Sequence, residues 1–233
     1  MHGVSRVVAG RSSNVIAALF LLVACAGGTT PAGGEGKLGA FEASSDVGQV
    51  EKKGSVQFDA ATGEYHVTGG GENMWNAADA FQFVHRQLSG DVVLTAKVKL
   101  LGEGGNAHRK AGLIVRQSLD ADSPYVDVMA HGDGLIALQY RDAKGAITKD
   151  VKSSVKAPAT LKLERHGEEF TAAVAPAGGG EFQAIGTVKV SLKDPVYVGL
   201  AVCAHDAKAM TEATFSGVTV QTPSARSDAK GHR

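Results

Sequence analysis

Three features of this 233-residue chain predict an all-β domain built as a sandwich of two antiparallel sheets. Apolar residues recur at every second position rather than with helical spacing. Turn signals rich in glycine separate these runs, and glycine totals 30. No stretch alternates strands with amphipathic helices, as a parallel sheet would require. Nor does any period of about 20 to 50 residues repeat, which argues against a propeller or solenoid.

The elements justify themselves in chain order. Residues 1–24 carry Arg6 and Arg11 with no acid, then the apolar run VIAALFLLVA from Val15 to Ala24. A membrane-crossing helix takes about 20 apolar residues, so the run suits the core of a signal peptide instead. Residues 25–40 open with Cys25 and continue AGGTTPAGGEGK. They hold too few apolar side chains to pack and read as a tether. The domain spans residues 41–220, and the polar residues 221–233 read as a disordered tail.

Within the domain, SVQFDAATGEYHV reads as two strands around a Thr62–Gly63 turn. DVVLTAKVKL sets Val92, Leu94, Ala96, Val98 and Leu100 against Thr95, Lys97 and Lys99, a half-buried strand. AGLIVRQS and YVDVMAH are further strands. GLIALQYRDAKGAITKDV is a hairpin turning at Asp142 to Gly145, and ATLKLERHGEEFTAAV another, turning at His166–Gly167. PVYVGLAVCAHD and ATFSGVTV complete the set.

Two resemblances add to this reading. The ending LVAC, behind a basic start and an apolar core, resembles the lipobox of bacterial lipoproteins. The likeness implies cleavage before Cys25, lipid on its thiol, and a membrane anchor without a transmembrane helix. The expected location is therefore exported and membrane-anchored, at the outer membrane or periplasm if the host is Gram-negative. The order AGLIVRQS, LKLERHGEEF and VGLAVCAHD…ATFSGV resembles the regulation-of-enolase-type branch of the concanavalin A-like lectin/glucanase superfamily. It implies a jelly-roll β-sandwich of two antiparallel sheets, often secreted and often attached to carbohydrate-processing proteins. With Cys25 lipidated, Cys203 has no partner, and the domain must fold without a disulfide.

Alternation also exposes a candidate site. Leu113 and Val115 share a face, opposite Gly112, Ile114 and Arg116. The same split sets Tyr125, Asp127, Met129 and His131 apart from Val126, Val128 and Ala130. It separates Leu135, Ala137, Gln139 and Arg141 from Ile136, Leu138 and Tyr140. It separates Gly199, Ala201, Cys203 and His205 from Val198, Leu200 and Val202. If these strands share a sheet, one mixed face carries Arg116, Asp127, His131, Gln139, Arg141 and His205, with Gly112, Ala137, Gly199 and Ala201 leaving space. Such a concave face suits a sugar or an acidic group, with the only tryptophan, Trp75, as its stacking aromatic. The alternative is that these polar groups are merely the solvated side of a sheet, with Trp75 a core plug.

Several chemistries lack their signatures. The compact Glu-x-Asp-x-x-Glu of the superfamily's glycanases is absent, as are GxSxG and HExxH. Cys203 and His205 share a face, yet a small side chain packed in a central strand explains the cysteine. No cofactor is expected: Asp120 and Asp122 in SLDADSP offer oxygens that could hold calcium, but the EF-hand pattern is absent and exposed loop acids are ordinarily just solvated. Basic and acidic residues balance at 24 each without a cationic stripe, which excludes nucleic acid as a partner.

The expectation is a lipid-anchored, non-catalytic recognition domain for carbohydrate or an envelope glycan. One alternative is a glycan-processing enzyme using Asp127, His131 and Arg141. The other is a structural domain of the envelope that engages a protein.

Overall fold

Strands, and no helix, make up the described residues (38–223) of this computed structural model. The expected signal peptide, Cys25, most of the expected tether and most of the expected tail lie outside them. Numbered in chain order, sixteen strands form. A front sheet runs in the order β1 (Ala43–Val47), β6 (Phe81–Leu88), β15 (Val196–Cys203), β8 (Lys110–Arg116), β9 (Tyr125–His131), β10 (Ile136–Arg141), β11 (Lys149–Lys152). A back sheet runs in the order β14 (Gln183–Lys189), β13 (Glu169–Pro176), β12 (Ala159–His166), β7 (Val92–Leu100), β16 (Thr211–Gln221), β3 (Glu64–Gly69), β2 (Ser55–Asp59). Every pairing is antiparallel, and the fold is a jelly-roll β-sandwich.

The core lies between the sheets, where alternation places it. Val92, Leu94, Ala96 and Val98 of β7 face Leu113, Val115, Val126, Val128, Val198 and Leu200 of the front sheet, all buried in one cluster. Fully burying each Val or Leu side chain contributes roughly 1.5–3 kcal/mol. With no disulfide among the described residues, this burial is what holds the sandwich together.

The front sheet departs from a half-buried sheet in one respect. Every residue of β8 and β9 is buried, on both faces. A two-stranded ribbon, β4 (Met74–Trp75) and β5 (Ala78–Asp79), lies over part of the outer face. There Met74, Phe81, Phe83, Ile114, Tyr125 and Met129 form a second apolar cluster, with Val47, Ala201 and Cys203.

Candidate functional site

The four mixed-face strands are neighbours, in the order β15, β8, β9, β10, so their polar groups do share one surface. Register sets them in rows. Cys203, Lys110 and His131 lie abreast, then Ala201, Gly112, Met129 and Ala137, then Gly199, Ile114, Asp127 and Gln139, then Tyr197, Arg116, Tyr125 and Arg141. The surface is not an open plate, however. The ribbon and its flanking loops divide it into a filled end and an open end.

The filled end belongs to the arginines. Arg141 donates to both oxygens of Asp79 at 2.9 and 2.7 Å and to the Asn76 carbonyl at 3.1 Å. Arg116 lies 3.4 Å from the same carboxylate and donates from Nε to the Ser118 carbonyl at 2.6 Å. The three side chains have no exposure. Burial pushes the Asp79 carboxyl up, and the bonds from Arg141 and the charge of Arg116 pull it back. Neither guanidinium is open to a ligand; together they staple the ribbon and the 118–124 loop to the sheet.

Gly112 and Gly199 likewise have a structural reason. A Cβ at Gly112 would stand 2.0 Å from the Val128 carbonyl oxygen, and one at Gly199 1.9 Å from that of Val84. They permit adjacent strands to approach rather than clearing room for a ligand.

The open end is a cleft of about 330 Å³. Trp75 of the ribbon stands on one side, partly exposed. Lys110, His131 and Gln139 come from the sheet, and Asp150 and Lys152 from the exposed edge strand β11. His108 and His205 come from two loops that Asn106 ties together. Its Nδ2 donates to the His205 carbonyl at 2.9 Å, and its Oδ1 accepts from the His108 backbone N–H at 2.8 Å. The His108 ring lies 5.5 Å from that of His205 and 6.4 Å from that of His131. His205 has a left-handed backbone, with φ at 55°, a conformation that costs a non-glycine residue of order 1–3 kcal/mol.

Electrostatics in the cleft are set by burial. Burial, helped by the Lys110 charge, pushes His131 down to about 4, so its imidazole is neutral near pH 7. Nδ1 of that neutral ring donates to the Leu135 carbonyl at 3.2 Å, which leaves Nε2 as an acceptor. Lys110 is pushed down by burial, and Asp127 beneath the cleft is pushed well up. Burial also raises the Cys203 thiol to about 11, which leaves it un-ionised near neutral pH.

Of the predicted site residues, His131, Gln139 and His205 from alternation and the single tryptophan Trp75 meet at the cleft. Arg116 and Arg141 stand at the filled end, and Asp127 is fully buried beneath, so the trio Asp127, His131 and Arg141 shares no open space. Asp120 and Asp122 share the Lys144 ammonium at 2.9 and 3.5 Å. No group of three or more acids, histidines or cysteines among the described residues is placed to hold a metal. Lys110 was missed, although continuing the Gly112, Ile114, Arg116 alternation back two residues reaches it. His108 sits on a loop, where no periodicity could have marked it.

No family model matches this chain, and no curated protein does. Among solved structures, a protein of unknown function from Saccharomyces cerevisiae superposes with a TM-score of 0.59 at 14% identity. The match covers 78% of this chain and 97% of that one. The likeness is one of fold. Weaker likenesses are to the carbohydrate-binding module CBM66 from Bacillus subtilis and to a β-1,3-1,4-glucanase (lichenase) from a mouse hindgut metagenome. The first has a TM-score of 0.49 at 16% identity and covers 78% of this chain and 97% of the module. The second has a TM-score of 0.46 at 10% identity and covers 69% of this chain and 80% of the glucanase.

Proposed function

We propose that this chain is a non-catalytic recognition protein that takes a carbohydrate into the Trp75 cleft. The observation that carries the reading is the placement of the only tryptophan. Its partly exposed ring faces a cleft of about 330 Å³ lined by a neutral imidazole and an amide. An aromatic face packs against the C–H surface of a sugar ring while Gln139 and His131 exchange hydrogen bonds with its hydroxyls. Because the ribbon is stapled by buried ion pairs, the platform is held before a ligand arrives, which lowers the entropy cost of binding. What favours binding over hydrolysis is that Asp150 is the one carboxylate among the lining residues, whereas glycoside hydrolysis ordinarily takes two.

In this reading the protein is exported and anchored by lipid on Cys25, with the segment beyond it as a tether. Support for the anchor comes from the sequence alone, through the basic start, the apolar core and LVAC.

The test is a titration of the full chain with a panel of neutral and acidic oligosaccharides, read through Trp75 fluorescence. Saturable binding without product formation, lost in Trp75→Ala, is the expected result. Sugar turnover overturns the non-catalytic part, and silence across the panel overturns the whole.

A further inference from the structure

Resting on the carbohydrate reading, we infer that the ligand is an acidic saccharide whose anionic group seats against Lys110. Buried cations elsewhere in the described residues all have a carboxylate within reach. Arg116 and Arg141 have Asp79 at 3.4 and 2.7 Å, and Arg165 has Asp194 at 2.6 Å. Lys110 is the exception and lines the cleft, although only 2% exposed.

Its Nζ makes one hydrogen bond, to Gln139 Oε1 at 3.5 Å, and stands 5.9 Å from the centre of the Trp75 ring. The nearest buried acid along the sheet does not serve it. Both oxygens of Asp127 are buried without a hydrogen-bond partner, so that carboxyl makes no hydrogen bond with the ammonium. Burial pushes the Asp127 carboxyl well up and the Lys110 charge pulls it back, an influence exerted through space and not through a bond.

A buried ammonium is compensated only by an opposite charge with good hydrogen-bond geometry. The protein provides that charge to its other buried cations and leaves it out at the one facing a cavity. Around the opening stand the cation Lys152 and three histidines, of which His131 is neutral near pH 7, with Asp150 as the single lining carboxylate. A neutral sugar would leave Lys110 uncompensated. A carboxylate or sulfate on a sugar gives it a charge-assisted bond, roughly twice as strong as a neutral one. Trp75 then lies beside the group to hold the ring.

The test titrates the full chain with oligogalacturonate and with its methyl ester, which keeps the backbone and removes the charge. A sulfated galactose oligomer and its unsulfated parent form the second pair and separate the two anionic groups. At least one acid is expected to bind about tenfold more tightly than its neutral partner, a difference that closes in Lys110→Met. The pairs on the unaltered chain decide the matter even if Lys110→Met does not fold. Equal affinities within both pairs, or binding of neutral sugars alone, overturn the acidic inference and leave the carbohydrate reading standing. No binding by any sugar overturns that reading and takes this inference with it.

Discussion

His131 shows how one side chain's surroundings set its charge. Burial lowers it to about 4, against about 6.5 in an unfolded chain. Between those values the unfolded state binds more protons, so this group's stabilisation is present above pH 6.5 and is lost as pH falls through about 4. Asp127, pushed the other way, stabilises at low pH and loses that effect as pH rises, so only a variant isolates the histidine. His131→Gln keeps a donor for the Leu135 carbonyl. It should remove about 2 kcal/mol of the stability loss between about pH 7.5 and about pH 4.5, measured by urea unfolding. An unchanged pH profile would show that His131 titrates normally in the folded protein. At the same scale, Gly112→Ala drives a methyl into the Val128 carbonyl and should cost about 1–3 kcal/mol. If the variant is as stable as its parent, the strands are not held as closely as that contact requires.

Among the elements, the ribbon couples stability to the site. β4 and β5 have two residues each, too few to stand alone, and the buried Asp79–Arg141 pair fixes them across 62 residues of sequence. Arg141→Met breaks a buried pair, for which a loss of about 3–5 kcal/mol is expected in denaturant unfolding. It should also loosen Trp75, seen as stronger acrylamide quenching, although Arg141 does not line the cleft. Unaltered quenching would mean that Met74 and its apolar neighbours hold the ribbon without the ion pair. The hairpins β2–β3, β10–β11 and β12–β13 were readable because a turn and alternation are local signals. β6 was not read as a strand: Phe81 to His85 is buried on both sides and shows no polar alternation. β4 and β5 carry no pattern long enough to detect.

For the whole molecule, the sandwich supplies rigidity, and in the proposed reading the segment ending at Cys25 supplies an address. If the Cys25 reading holds, Cys25→Ser should leave the chain without incorporated fatty acid in a metabolic-labelling experiment. It should also move the chain out of the membrane fraction, while sugar binding at the Trp75 cleft persists. Labelled fatty acid on the serine variant would reject Cys25 as the lipid attachment site.

By itself, the sequence determined the all-β class and, strand by strand, which residues point inward and which polar groups point the other way. These follow from the two-residue period of a strand, which is written into neighbouring residues. The adjacency of the four strands, by contrast, came from the fold. Tertiary structure decided which of those groups remain open. The Asp79 that occupies Arg116 and Arg141, the ribbon that carries Trp75, and the missing counter-ion at Lys110 all depend on contacts between distant segments. Alternation specifies a direction for each side chain, but the partner waiting there is fixed only when the sheets and loops close.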